Sequence, residues 1–510
     1  MFSWLRTKFK SYFSPAKAEK VRDARYDHAQ TNEHNARHWF NADSLGPVLS
    51  LDPAVRKIVR ERARYERDND PHLAGLGRTM AYDLVGTGPR IQLTGYDPSL
   101  AEDARNVERS FGRWARKSRL ALALRLMVEA ANFDGEVFAS FENDETIAHA
   151  VKLKLNPFEC DLVTEPNGKV PVGNWEDGID YDAVGNARRY AVQDSHPGDG
   201  WGGKWNSSFT VVDAANIVHF FRRRRPGQIR GISEFVSALG VISQLRRYGI
   251  AVLGAAEFAA SINGVMETNA EVEDGPAAVV PMENFRLENG MVMTLPAGWK
   301  ANQFKAEQPT SSFKEFNAEK LNQVARCVNA PFNVMTGNSS GYNYSSGRLD
   351  HVPYHRNVWI DREELEISVL DRTFEKWHAE AVAVGEIPES FATIEDFDWL
   401  FQWDGFNSID PLKDAQASRE RMSLGLTTLS EECAAEGRNW REVLEQLAIE
   451  RKERIRLGLP DPLAANPAPN AVATPATKPI DPAEELDDDE TDDDTKLDRD
   501  RAERSNRVLV

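Results

Sequence analysis

The sequence predicts an α+β protein, mainly helical, on three observations. Apolar residues at helical spacing dominate long stretches, above all residues 231–262. Residues 135–219 instead carry short alternating runs (AVKLKL, RRYAVQ, TVVDAANIVHF) between Asn-Gly, Asp-Gly and Gly-Asn turn signals, the mark of antiparallel strands. The 510 residues, 41% hydrophobic and 28% charged with mean hydropathy −0.52, have the composition of a soluble globular chain of two to four domains.

In chain order, Phe2, Leu5, Phe9 and Phe13 recur at helical spacing with Arg6, Lys8 and Lys10 between them. Such a pattern can lie on a membrane surface, but it reads rather as an arm docking on its own protein or a neighbour. Residues 51–68 form a charged helix in which Asp52 is the N-cap and Pro53 fills the first helical position, where its missing N–H costs nothing. A second helix is expected over 98–131, and the β region follows. The rod from Gly231 repeats Phe235, Leu239, Ile242, Leu245 and Leu253, and 32 helical residues would span about 48 Å. Its second half is rich in small residues (Gly249, Ala251, Gly254, Ala255, Ala256, Ala259, Ala260), which lets another helix approach closely, from the same chain or a second copy. Two strand-like runs, MVMTLP and ANQFKA, precede a helix over 311–330, a long loop over 331–347 and a helical segment over 353–384. Asp410 with Pro411, Thr428 with Glu431, and Asn439 with Glu442 each open a further helix. After Leu459 the chain turns Pro, Ala and Asn rich and then acidic, too polar to bury a core, and is expected to be disordered.

Charge and motifs exclude several classes of function. Sixty-two Lys and Arg against 80 Asp and Glu give −18, which argues against gripping nucleic acid over the whole surface. Residues 481–495 hold ten carboxylates and no base, so without them the net charge is −8. The longest near-apolar stretch, residues 249–256, is far short of the ~20 residues of a spanning helix. The N-terminus lacks the apolar core of a secretory signal, and Cys160, Cys327 and Cys433 lie outside any C-x-x-C spacing, so a reducing compartment is expected, with neither a disulfide framework nor a zinc site. GDGWGGKW, residues 198–205, matches part of a phosphate-binding loop, but Trp205 stands where Ser or Thr must ligate magnesium and a strand follows. His34 with His38, and His351 with His355 beside Asp350, lack a third ligand, and Pro353 argues against a regular helix across the second pair. Glu364 with Glu366, and Asp396 with Asp398, read as solvated faces. No catalytic site, metal or cofactor is expected.

Three separated signatures agree on one family: IVHFFRRRRPGQIRGIS over 217–233, NAPFNVMTGNSSGYNYSSGRLDH over 329–351, and the stretch 401–443 with Trp403, Asp410, Pro411, Lys413, Ala415, Gly425, Thr428 and Gly437 at the patterned positions. Over roughly residues 20–455 the chain resembles the lambda-like portal proteins of tailed bacteriophages. The resemblance implies a portal fold with wing, stem, clip and crown, and a closed homo-oligomeric ring, usually a dodecamer, at one capsid vertex of the virion, assembled in the host cytoplasm. Double-stranded DNA enters through it, driven by the docked terminase, and leaves after head completion proteins join; major capsid and scaffold proteins are further partners. It also implies an arm over 1–45, wing over 46–230, first stem helix over 231–262, clip over 263–310, second stem helix over 311–330, tunnel loop over 331–352, wing helix and strand over 353–405, crown over 406–460 and a tail over 461–510. A packaging ATPase is the alternative, opposed by Trp205.

On that reading Thr336, Asn338, Ser339, Ser340, Tyr342, Asn343, Tyr344 and Ser345 line the narrowest level of the channel. No Asp, Glu, Lys, Arg or His lies between Cys327 and Gly347. Duplex DNA carries a charge every ~1.7 Å of axis, so a ring of Lys would hold it and a ring of Asp would repel it, whereas neutral polar side chains permit sliding. The basic patch of Arg222, Arg223, Arg224, Arg225 and Arg230 suits either DNA contact or ion pairing between subunits.

Overall fold

The structure, a computed structural model, describes residues 37–165, 171–199, 208–261, 265–268, 299–302, 313–406 and 410–460. Residues 1–36, the phosphate-loop look-alike from residue 200, most of the expected clip, and the tail lie outside the described residues. The chain divides into two units, residues 1–440 and 441–510.

Asp52 caps α1 (Pro53–Asn69) through its carboxylate, which accepts from the Ala54 and Val55 amides. The same Asp-Pro device recurs at Asp70, whose side chain accepts from Leu73 N at 2.9 Å and opens α2 (Pro71–Val85). The single helix expected over 98–131 is two, α3 (Ala101–Lys117) and α4 (Leu120–Asp134), because Arg119 adopts a left-handed conformation, φ 58°, and turns the chain between them. Helices α2, α3 and α4, β1 (Arg90–Thr94) and later helices share one core, in which Phe111, Trp114, Phe374 and Trp377 stack edge and face at centroid distances of 5.2–6.3 Å.

The β region is antiparallel, as expected. In a three-stranded sheet, β2 (Glu136–Asn143) lies between β3 (Leu153–Phe158) and β8 (Ile217–Phe221). A meander of β4 (Asn174–Glu176), β5 (Ile179–Tyr181), β6 (Ala187–Gln193) and β7 (Phe209–Asp213) forms the second sheet. Phe138, Ile179, Tyr190 and Ile217 from the two sheets, with Cys160 and Val163 from the segment between β3 and β4, make a separate small core.

The rod helix α5 (Leu239–Ser261) begins eight residues later than expected and is about 34 Å long, because residues 231–238 are held in turns beside β2. Little is described of the segment that follows: β9 (Val265–Thr268) pairs with β10 (Trp299–Asn302), which takes only the first two residues of ANQFKA. Helix α6 (Phe313–Cys327) packs against α5.

The expected loop 331–352 is largely helical. Short α7 (Phe332–Thr336) and long α8 (Tyr344–Leu365) leave only residues 337–343 between them. Helix α8 runs straight through Pro353, contrary to expectation. Pro353 is exposed and the carbonyl it leaves without a donor belongs to Leu349, 73% exposed, so water can satisfy it. A π-turn, Glu366–Leu370, joins α8 to α9 (Asp371–Ala383), and β11 (Asp398–Gln402) returns to pair with β1. Asp410 caps α10 (Pro411–Ser423), and Thr428 with Glu431 forms the capping box of α11 (Leu429–Ala435). The second unit holds most of α12 (Trp440–Arg456). No helix of the described residues is long and apolar enough to cross a membrane.

Candidate functional site

Two segments singled out by sequence carry the candidate site: the 337–343 loop and the arginine turn after β8. The loop is pinned at both ends. On the α7 side, Ala330 and Met335 are buried in the main core and Gly337, φ 64°, ends the helix by donating its N–H to Asn333 O at 2.8 Å. On the α8 side, Asn343 and Ser346 form a capping box: Ser346 N donates to Asn343 Oδ1 at 2.9 Å and Asn343 N to Ser346 Oγ at 3.0 Å. Inside the loop, Ser340 N donates to Asn338 Oδ1 at 2.9 Å and Tyr342 N to Ser339 O at 3.0 Å. Asn333 ties the loop to both helices, its amide nitrogen lying 3.3 Å from Ser339 Oγ and 3.0 Å from His351 Nε2.

The predicted residues therefore divide. Asn338, Ser339, Ser340 and Asn343 are exposed on the loop, and Tyr342 is half-buried with its hydroxyl bonded to Asp350, burial and that carboxylate together raising the phenol's pKa. Thr336 closes α7, its hydroxyl donating to Phe332 O, while Tyr344 and Ser345 are the first two residues of α8. The chain thus presents a short, hydrogen-bonded, uncharged turn. Asn333 and His351, which hold it, are outside the predicted set.

The arginine turn is not a free basic surface, and for Arg230 that expectation is corrected. Arg230 is 2% exposed and forks onto Glu136 at 2.8–3.0 Å, with Asp177 at 3.1 Å. Glu136 also takes Arg56 at 2.8 Å, His219 at 3.1 Å and the Gly231 amide at 2.9 Å. Burial alone would raise its pKa, yet Arg230, His219 and Arg56 hold the carboxyl well below the ordinary range. Burial pushes His219 the other way, below its usual value, so it stays neutral and donates from Nε2. Arg222 spends its fork on Asp361, at 2.9 and 3.2 Å, and on Asn132. Arg224 pairs with Glu234 at 2.9 Å. Arg225 donates to Ser50 Oγ and Leu45 O, and Arg223 sits over the Phe221 ring; these two remain exposed and have no carboxylate partner among the described residues.

The turn's glycine has a steric cause. A Cβ on Gly231 would lie 2.0 Å from Gly135 O, and one on Gly135, φ 93°, would lie 2.2 Å from the Ile232 backbone, so the two segments cross where only glycine fits. Gln228 closes the same turn, accepting from Arg224 N at 2.8 Å and donating to Arg230 O at 2.7 Å. The Pro-Gly-Gln-x-Arg-Gly string thus runs from an exposed turn at Pro226 and Gly227 into a junction, buried at Gln228, Arg230 and Gly231, between the β region and the rod helix.

The remaining titratable groups also find structural company. Glu366, expected on a solvated face, is half-buried, accepts from Trp403 Nε1, and has its pKa raised by burial. His351 and His355 lie with ring centroids 5.5 Å apart, and His355 stacks on Phe406 at 3.7 Å. Among the described residues, Glu159, Asp161 and His196 bring donor atoms within 4.8 Å of one another. Arg60 and Arg64 already pair with Asp161, each at 2.8 Å, so those carboxylates face the chain's own cations.

Residues 36–362 match the model of a family described as phage portal protein, lambda family. The probable portal protein of Halomonas phage phiHAP-1 is 23% identical over 489 residues, covering 90% of this chain and 91% of that one. Portal protein B of Escherichia phage lambda is 22% identical over 383 residues, covering 68% and 71%. Among solved structures, a chain from the neck of an empty GTA particle aligns with TM-score 0.43 and 13% identity over 78% of this chain and 93% of that one.

Proposed function

The chain belongs to the lambda family of phage portal proteins, and from that membership we propose that identical copies join side by side into a closed ring of about twelve at one capsid vertex. Only a head-to-tail interface whose rotation closes lets identical chains enclose an axial hole. Double-stranded DNA passes through that hole during packaging and ejection. The ring docks the terminase motor, later the head completion proteins, and sits among the major capsid and scaffold proteins.

The observation that supports this reading best is the 337–343 loop: largely exposed, free of formal charge, and braced at both ends by hydrogen bonds to α7 and α8. Repeated around an axis, such turns form a collar that neither binds nor repels a polyanion. Arg223 and Arg225 are the members of the basic turn left for DNA or a neighbouring subunit. Family membership argues against the packaging-ATPase alternative.

Negative-stain microscopy of the purified chain, alone and with capsid and scaffold proteins present, tests the proposal. Rings with a central hole wide enough for a duplex are expected. A chain that stays monomeric at every concentration and in every capsid-assembly mixture would overturn it.

A further inference from the structure

Helix α3 carries a basic face that folding alone does not account for. Residues 109–119 hold five cations, Arg109, Arg113, Arg116, Lys117 and Arg119, and no acid, in a chain whose net charge is −18. All five are exposed. With Arg105, the four that lie on the helix share an arc of about 120° and run for about 18 Å along it. The opposite side of α3, with Ala104, Val107, Phe111 and Trp114, is buried in the main core, so the face rests on a rigid support. Arg113 lies 3.4 Å from Glu386, whereas Arg109, Arg116 and Arg119 have no carboxylate partner among the described residues.

The fold gains little from this arrangement. Arg116 and Lys117 complement the dipole in the last turn, but Arg105 and Arg109 lie more than a turn before it. The pairs 105 and 109, 109 and 113, and 113 and 117 set like charges at i, i+4, where they repel. Arg119 holds φ 58°, a conformation in which glycine or asparagine is the ordinary choice, and its exposed side chain caps nothing. The positive field also reaches inward: burial above all, with Lys117, Arg113 and Lys152 adding to it against Glu386, holds the His149 pKa below its usual value.

We propose that this face of α3 binds the phosphate backbone of duplex DNA without regard to sequence. The inference rests on the reading above for the nature of the polyanion, and it adds to the uncharged loop, where DNA slides, a second place where DNA is held.

Two observations favour a duplex backbone over other anions. Beside the cations the face offers Glu102, Asn106 and Gly112, and no large apolar side chain of residues 101–119 is exposed, so an acidic protein surface would find no apolar core to bury there. The aromatic residues of α3, Phe111 and Trp114, point into the core, so no ring is free to stack on an unpaired base. What remains is a row of guanidiniums, whose planar forks match phosphate oxygens.

Closed-circular duplex DNA cannot thread a closed ring, so its retention by the full chain on a nitrocellulose filter reads this face and not the channel. Binding is expected near about 50 mM salt and should weaken steeply toward about 200 mM. Arg109→Gln, Arg113→Gln and Arg116→Gln together should lower affinity at least about tenfold at the lower salt. They should also reduce the slope of log affinity against log salt by about 2.7, three contacts at about 0.9 each. Arg62→Gln, Arg356→Gln and Arg419→Gln together, at exposed positions on α1, α8 and α10, change the net charge equally and should leave affinity within about twofold. Because like-charge pairs are removed, the melting midpoint of the α3 variant should stay level or rise. Equal weakening by the two triple variants overturns the proposal in favour of net charge, a fall in that midpoint in favour of a role in the fold, and tighter binding of polyglutamate than of DNA in favour of an acidic protein. Rings that retain no closed circles overturn the α3 contact and leave the ring standing. Closed circles retained by a chain that forms no ring support the contact and overturn the ring.

Discussion

Glu136 shows how one buried carboxylate can organise the junction between sheet and rod. It is 1% exposed yet accepts from Arg230, Arg56, His219 and Gly231 N, partners that come from α1, β8 and the turn before α5. Removing its charge leaves Arg230 and Arg56 to share Asp177 as their carboxylate, so Glu136→Gln should destabilise the fold by about 3 kcal/mol, seen as a lower urea midpoint. Glu136 has a depressed folded pKa, so its contribution is complete above the ordinary carboxylate range and is lost as pH falls through the depressed value. His219, His149 and His355 have folded pKa values pushed down by burial, so below about 6.5 the unfolded chain binds protons that the folded chain refuses, and stability falls with acidification. Melting curves from pH 7.5 to 5 should show that decline, and His219→Gln should reduce its slope by about one proton. An unchanged slope would mean that His219 titrates alike in both states.

At the scale of elements, the loop between α7 and α8 tests the channel reading. Asn338 is exposed in a segment with no formal charge, so Asn338→Lys places one cation per copy on the proposed collar, while Asn338→Gln keeps it neutral. The lysine variant should slow DNA packaging on the order of tenfold at low salt and less at high salt, with the glutamine variant near normal. Equal rates for both would remove the loop from the DNA path. Much of this element was legible in sequence: the charge-free stretch, the antiparallel region, and the caps at Asp52, Asp410 and Thr428 depend on residue type at fixed local spacing. Helix α2 is absent from the sequence reading, although Asp70-Pro71 repeats the Asp52-Pro53 device and was the signal that could have found it. What local pattern cannot supply is tertiary compensation. Pro353 is tolerated because its side of α8 faces solvent, residues 231–238 stay out of the rod because Gly231 must cross Gly135, and three of the five arginines, Arg222, Arg224 and Arg230, find acids outside the turn in Asp361, Glu234 and Glu136.

For the whole molecule, net charge sets the conditions under which copies can come together. Each copy carries −18, of which ten carboxylates lie in residues 481–495, so deletion of that run leaves −8. Repulsion between like copies scales with the square of their charge, so the deletion lowers it roughly fivefold where screening is weak. On the proposed ring, an apolar stripe would oppose that repulsion and would not depend on salt in the same way: on α5, Ile250, Leu253 and Phe258 are 64%, 61% and 60% exposed at helical spacing. The 481–495 deletion should therefore assemble at lower protein concentration than the full chain near 20 mM salt, by sedimentation velocity. The two should converge near 1 M salt, where the screening length is about 3 Å. Leu253→Glu should weaken assembly at both salt concentrations, because it removes apolar contact as well as adding charge. If the deletion makes no difference at low salt, the acidic run does not oppose assembly, and the balance between stripe and charge must be sought in the folded body alone.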